Sequence, residues 1–176
     1  MTEAQFEVGQ YVVHGTNGIC VVDSIERMSF TAGAPGEFYY VLRQYKNPSN
    51  KYFVPMKNEE ILSKLREPMC REDIEDILMG LSDGDVKWLK DRRERGEYFR
   101  SILHEGVSGR LLNMITCIYE KKRELARNGK KLSVTDQTTL KTAEKLVEEE
   151  FAWVLKMDPA DVPAFIRRRL HIQEEE

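Results

Sequence analysis

Over the first 65 residues the apolar positions come in short runs separated by turn residues. Tyr11-Val-Val-His14, Ile19-Cys-Val-Val-Asp-Ser-Ile25, Phe38-Tyr-Tyr-Val-Leu-Arg-Gln-Tyr45 and Tyr52-Phe-Val-Pro55 are rich in β-branched and aromatic side chains, the composition that fits a pleated, half-buried surface. Gly15-Thr-Asn-Gly18, Thr31-Ala-Gly-Ala-Pro-Gly36 and Lys46-Asn-Pro-Ser-Asn50 lie between them, and glycines at such places supply positive φ. Pro55 marks the end or edge of its strand. Four or five short antiparallel strands in so short a segment predict a small, strongly bent β-barrel or sandwich.

Beyond residue 65 the period becomes helical. Ile74, Ile77, Leu78 and Leu81 recur at i, i+3, i+4 and i+7, one face of a helix entered near Pro68. Asp83-Gly84 breaks the chain, and Asp85 is the expected N-cap of a helix from about Val86 to His104, stopped by Glu105-Gly106. Leu111, Leu112, Ile115, Ile118 and Tyr119 outline a third helix closed by Asn128-Gly129. Ser133-Val-Thr-Asp136 resembles a capping box and opens a fourth, with Leu140, Ala143, Val147, Phe151 and Val154 as its stripe. Asp158-Pro159 opens a fifth, with Val162, Phe165 and Ile166 facing inward. Glu174-Glu-Glu176 is read as a frayed end. The pattern therefore predicts an α+β protein of two domains. Residues 1–65 form a small antiparallel β-barrel or sandwich, and residues 66–176 an all-α bundle of about five helices.

Charge changes this picture more than bulk composition does. The net charge is −3, yet residues 87–131 carry 13 Lys/Arg against 6 Asp/Glu, between acidic flanks. A local positive surface is what a nucleic acid responds to. Cys20, Cys70 and Cys117 are far apart, show no zinc spacing and are expected to pack as small hydrophobes. No apolar run approaches the roughly 18 residues of a membrane span, and Met-Thr-Glu-Ala-Gln-Phe-Glu lacks the basic-then-apolar order of a signal peptide. A cytoplasmic protein without membrane partner is expected.

Walker, Gly-x-Gly-x-x-Gly and Gly-x-Ser-x-Gly motifs are absent, and His14, His104 and His171 share no metal-ligand spacing. Neither an enzyme nor a cofactor or small-molecule substrate is expected. Glu144 and Glu148 to Glu150 read as a solvated helix face. The stronger signal is the run Lys87-Trp-Leu-Lys-Asp-Arg-Arg-Glu-Arg95. On a helix turning about 100° per residue, Trp88, Arg92, Arg95 and Phe99 share one side. The first half of that helix is charged all round and so unsuited to burial. Trp88 then either projects, ready to press on an unstacked base step while Lys and Arg hold phosphates, or closes the Phe99–Ile102 stripe as a core residue. Lys121-Lys-Arg123, Lys130-Lys131 and Arg167-Arg-Arg169 either extend the basic surface or are simply solvated. Trp153, within Phe151-Ala-Trp-Val-Leu155, is expected in the core. Of the aromatics in the β segment, Phe30 and Phe53 are those expected to remain exposed.

Phe6-Glu-Val-Gly-Gln-Tyr-Val-Val-His14, Gly18-Ile19, Tyr39-Tyr-Val-Leu42 and Tyr52-Phe-Val-Pro55, in that order and spacing, resemble the CarD/CdnL family of bacterial transcription regulators. The N-terminal module of that family is Tudor-like and also occurs in the transcription-repair coupling factor. Trp88 with its basic followers, and the stretch from Ser108 to Leu155, are similar to the family's helical half. The resemblance implies a nucleoid-associated regulator whose β module adds its edge to the RNA polymerase β subunit. Its helical module would contact promoter DNA, largely independently of sequence, at the upstream edge of the melted region. It implies Trp88 as a minor-groove wedge, with Lys87, Lys90, Arg92, Arg93 and Arg95 on the DNA. Two positions where relatives carry arginines align with Met28 and Phe53, with Arg27 and Lys51 nearby; these four and Phe30 are the implied polymerase-contact residues. The helix after Met157 is longer than the family pattern.

Overall fold

The computed structural model describes residues 4–80 and 85–170. The expected Asp83-Gly84 break, Leu81, His171 and the terminal glutamates lie outside the described residues. By its internal packing the chain divides into two units, residues 1–68 and 69–176.

The first unit is built on β1 (Tyr11–His14), β2 (Ile19–Met28), β3 (Glu37–Gln44), β4 (Lys51–Pro55) and β5 (Leu65–Arg66), with a one-turn helix α1 (Glu59–Leu62) between the last two. All pairings are antiparallel and the order is β4-β3-β2-β1-β5. The expected barrel is thus corrected: this is an open five-stranded sheet. Closure would need β4 and β5 to pair. β5 is only two residues long, and the chain before it is committed to α1, whose first turn is capped by Asn58 accepting from the Ile61 amide. The register slips between Val22 and Ser24, a bulge that accommodates Asp23 and bends the strand locally.

One face of the sheet buries Phe6, Val12, Cys20, Val22, Tyr40, Leu42, Val54, Met56 and Leu65. The alternation read in β3 is what places Tyr40 and Leu42 together on that face. The buried Tyr40 hydroxyl accepts from the Gln5 and Phe6 amides at 2.7 and 3.1 Å, tying the segment before β1 to the core.

The second unit contains α2 (Arg71–Gly80), α3 (Arg92–Glu105), α4 (Ser108–Arg127), α5 (Val134–Leu155) and α6 (Val162–Leu170) around one apolar core. Ser133 caps α5 by accepting from the Asp136 amide, and Gly106 ends α3 in the left-handed region at φ 64°, both as the sequence pattern predicts. Pro159 forms a 3₁₀ turn capped by Asp158, and α6 follows at Val162.

The start of α3 differs from expectation. Asp91 accepts from the Glu94 amide at 2.8 Å and is the cap, so the helix begins at Arg92 and not Val86. Asp85 instead accepts from the Asn113 side chain at 3.0 Å. Val86 is buried in the core from a non-helical segment.

Two further expectations are corrected. Glu150 is 3% exposed. It accepts from the Met69 amide at 3.0 Å and from the Ser108 hydroxyl at 2.6 Å, so it is not on a solvated face. Cys70 is exposed, whereas Cys20 and Cys117 are buried. Trp153 is partly buried.

Candidate interaction sites

In the helical unit, Trp88 lies in the irregular stretch four residues before α3. It is partly buried against the core. Phe99, one face of α3, meets its ring edge-on at 6.0 Å between centroids and 67° between planes. The Arg95 guanidinium covers the ring at 4.1 Å from its centroid, and the Lys121 ammonium stands 5.9 Å away. Both are cation–π distances.

Arg95 is itself 6% exposed. Its Nε and Nη2 donate to the two carboxylate oxygens of Asp136 at 3.1 and 3.0 Å. Its Nη1 donates to the carbonyls of Leu89 at 2.8 Å and Lys90 at 3.3 Å. The fork is therefore filled from within the unit, and of the six DNA-contact candidates Arg95 is the one turned inward. Lys87, Lys90, Arg92 and Arg93 are exposed. Arg93 also donates to Glu97 at 3.2 Å, one turn on, a surface pair of little energetic weight. Lys122, Arg123, Lys130 and Lys131 are exposed as well.

What sequence reasoning missed here is Asp136. Its role as a partner within the cap of α5 is visible in Ser133-Val-Thr-Asp136, but its pairing with a residue 41 positions earlier leaves no local signal. Burial pushes the Asp136 carboxyl up, and the hydrogen bonds from Arg95 and Ser133 and the charges of Arg95 and Arg92 pull it down. The pull prevails, leaving it below the usual carboxylate value.

Elsewhere in this unit a cleft of about 480 Å³ lies between α4, α5 and α6, floored by Leu112, Ile115, Val147 and Ile166. At its rim Tyr119 donates to Glu144. Burial and that bond push its pKa up to about 12, so the phenol is a neutral donor at pH 7 and not a base.

In the sheet unit, Phe30 is 67% and Phe53 46% exposed, as expected. Phe30 meets Tyr39 at 5.2 Å and Phe53 at 6.0 Å, both edge-on. Phe53 lies opposite Val41 in the ladder, and Val41 is buried. This aromatic cluster sits on the face opposite the core, beside the outer strand β4.

The charged candidates here are engaged. Lys51 stands 3.6 Å from Asp23, which also pairs with Arg43 at 2.7 Å. Arg27 donates through Nε to the Gly36 carbonyl at 3.0 Å. Met28 is partly buried at the end of β2, opposite Glu37.

Taken together, these features define a two-unit protein with an exposed aromatic patch beside an open sheet edge and, in its other unit, a cation-covered tryptophan beside exposed bases. Residues 6–66, spanning β1 to β5, match the family described as CarD-like/TRCF RID domain. That match supports the CarD/CdnL assignment made on the residues of the same segment. Domains of this family are regulatory and non-catalytic, and are associated with RNA polymerase and transcription. No curated protein matches the chain. Among the described residues there is no group of three or more His, Cys, Asp or Glu able to hold a metal ion, and no helix long and apolar enough to cross a membrane.

Proposed function

We propose that this protein is a transcription regulator that binds the RNA polymerase β subunit through its sheet unit and stabilises the open promoter complex through its helical unit. The observation that carries the reading is the family match across the whole five-stranded sheet. The free edge of β4 supports strand addition, in which main-chain hydrogen bonds give affinity and adjoining side chains give selectivity. Phe30, Tyr39 and Phe53 are the adjoining side chains, and with Arg27 and Lys51 already engaged the contact is largely apolar. Met28, at the end of β2, extends it.

For DNA, Lys87, Lys90, Arg92 and Arg93 hold phosphates and Trp88 presents its ring to the fork between duplex and melted strands. Contacts of this kind read backbone and shape, so little dependence on sequence follows. Stabilisation is a difference in affinity between open and closed DNA, and about 1.4 kcal/mol shifts that equilibrium tenfold.

The partial burial of Trp88 favours one rival, an adaptor that binds polymerase or a repair factor and uses Trp88 only for packing. Open-complex lifetime separates the two. Trp88→Ala is expected to shorten the lifetime about tenfold and to leave polymerase binding unchanged. A folded Trp88→Ala protein with an unaltered lifetime would leave the adaptor as the function.

A further inference from the structure

We propose that Arg95 is the positioning residue for Trp88: it holds the non-helical segment before α3 so that the indole keeps a fixed attitude at the surface. The inference rests on the reading of Trp88 as the DNA-facing tip.

Residues 85–89 are neither helix nor strand, so no ladder of their own fixes them. Arg95 supplies what is missing. One side of its fork is locked by the two oxygens of Asp136. The other side reaches the carbonyls of Leu89 and Lys90, the first two residues after Trp88. Its guanidinium carbon meanwhile stands over the indole, 4.1 Å from the ring centroid. A buried ion pair needs only the first of these three; the carbonyls and the ring are additional.

Asp136 is held in turn. It occupies the first turn of α5, where the amide end of a helix favours a carboxylate, and Ser133 donates its hydroxyl to it at 2.6 Å. A rigid chain of contacts therefore runs from the N-terminus of α5 through Asp136 and Arg95 to Trp88. Only guanidinium has the set of donors this requires; a lysine ammonium is a point charge on a flexible stem and cannot reach Asp136 and the two carbonyls at once while standing over the ring.

The protein has two tryptophans, so a Trp153→Phe background leaves Trp88 as the sole indole reporter. In that background Arg95→Lys is compared with the parent by Trp88 emission, by acrylamide quenching and by open-complex lifetime, with circular dichroism confirming the fold. The expected result is a red-shifted emission, a several-fold rise in quenching and a lifetime falling towards that of Trp88→Ala. The Trp88→Ala/Arg95→Lys double variant should be no worse than Trp88→Ala alone.

Unchanged emission and quenching in folded Arg95→Lys, or additive losses of lifetime in the double variant, would overturn the proposal. Should Arg95→Lys not fold, Arg95→Met/Asp136→Leu replaces the pair with apolar side chains, a change buried ion pairs often tolerate, and is read by the same criteria. A lifetime indifferent to Trp88→Ala sinks the wedge reading instead, and the fluorescence arm still decides whether Arg95 positions the indole.

Discussion

Asp136 carries a negative charge into a site 5% exposed, and its pKa records what that requires. Burial acts upward on it; Arg95, Ser133 and Arg92 act downward and prevail. A carboxylate whose folded pKa lies below its unfolded value of about 3.9 contributes stability that is present above that pH and lost as pH falls through the folded value. The helical unit should therefore lose thermal stability as the pH drops below about 4. Asp136→Asn should flatten that acid limb while lowering the melting temperature at pH 7, because it leaves Arg95 charged and underpaired. An acid limb identical in the variant would show that other carboxylates set it. Little of this was legible in the sequence. Arg95 stands in a run of charges that reads as solvated, and the partner that draws it inward is 41 residues away. Glu150 is the same case, its partner Ser108 being 42 residues distant. A charge buried by a remote partner has the same local pattern as one in water. Phe30 and Phe53 were legible because the sheet has more aromatics than its core can bury.

At the scale of elements, helix ends marked by glycine and serine were readable, and the start of α3 was not. Asp85 and Asp91 are both chemically suited to an N-cap, and the pattern alone favours the one that follows the glycine break. Packing decides otherwise. Val86 is drawn into the core in a non-helical conformation, and Arg95 takes the Leu89 and Lys90 carbonyls. This relocation changes the argument for Trp88: it is not the first turn of a charged helix but part of a strap laid over Phe99. The two aspartates give a direct check. Asp91→Ala should cost about 1 kcal/mol in urea unfolding. Asp85→Ala, losing only an exposed bond to Asn113, should cost about half that or less. The reverse ranking would restore the earlier helix start. The barrel expectation failed for an element-scale reason too, since strand count and bend were visible in the pattern, whereas the two-residue length of β5 depends on α1 folding ahead of it.

For the whole molecule the change from strands to helices was legible from the switch of period near residue 65, and under the proposed function the charge distribution assigns DNA to the helical unit. Residues 87–131 carry the positive excess in a chain of net charge −3, so the proposed attraction to DNA would be local and strongly screened. Counterion release then predicts that Arg92→Ala/Arg93→Ala weakens binding to forked promoter DNA and makes the plot of log affinity against log salt shallower by about 2. An unchanged slope would place those side chains off the DNA and favour the adaptor.

The open sheet has one more consequence, for the protein when it is alone. A strand with an open edge beside exposed aromatics is a template for another copy of itself. Lys51 begins β4 and Lys57 follows its end, each tethered to one neighbouring carboxylate, Asp23 and Glu37. Charges so placed act as gatekeepers against stacking of copies. Two lysines flanking Phe53 are thus placed against self-association, and removing either should raise the apparent mass in light scattering before the fold is lost.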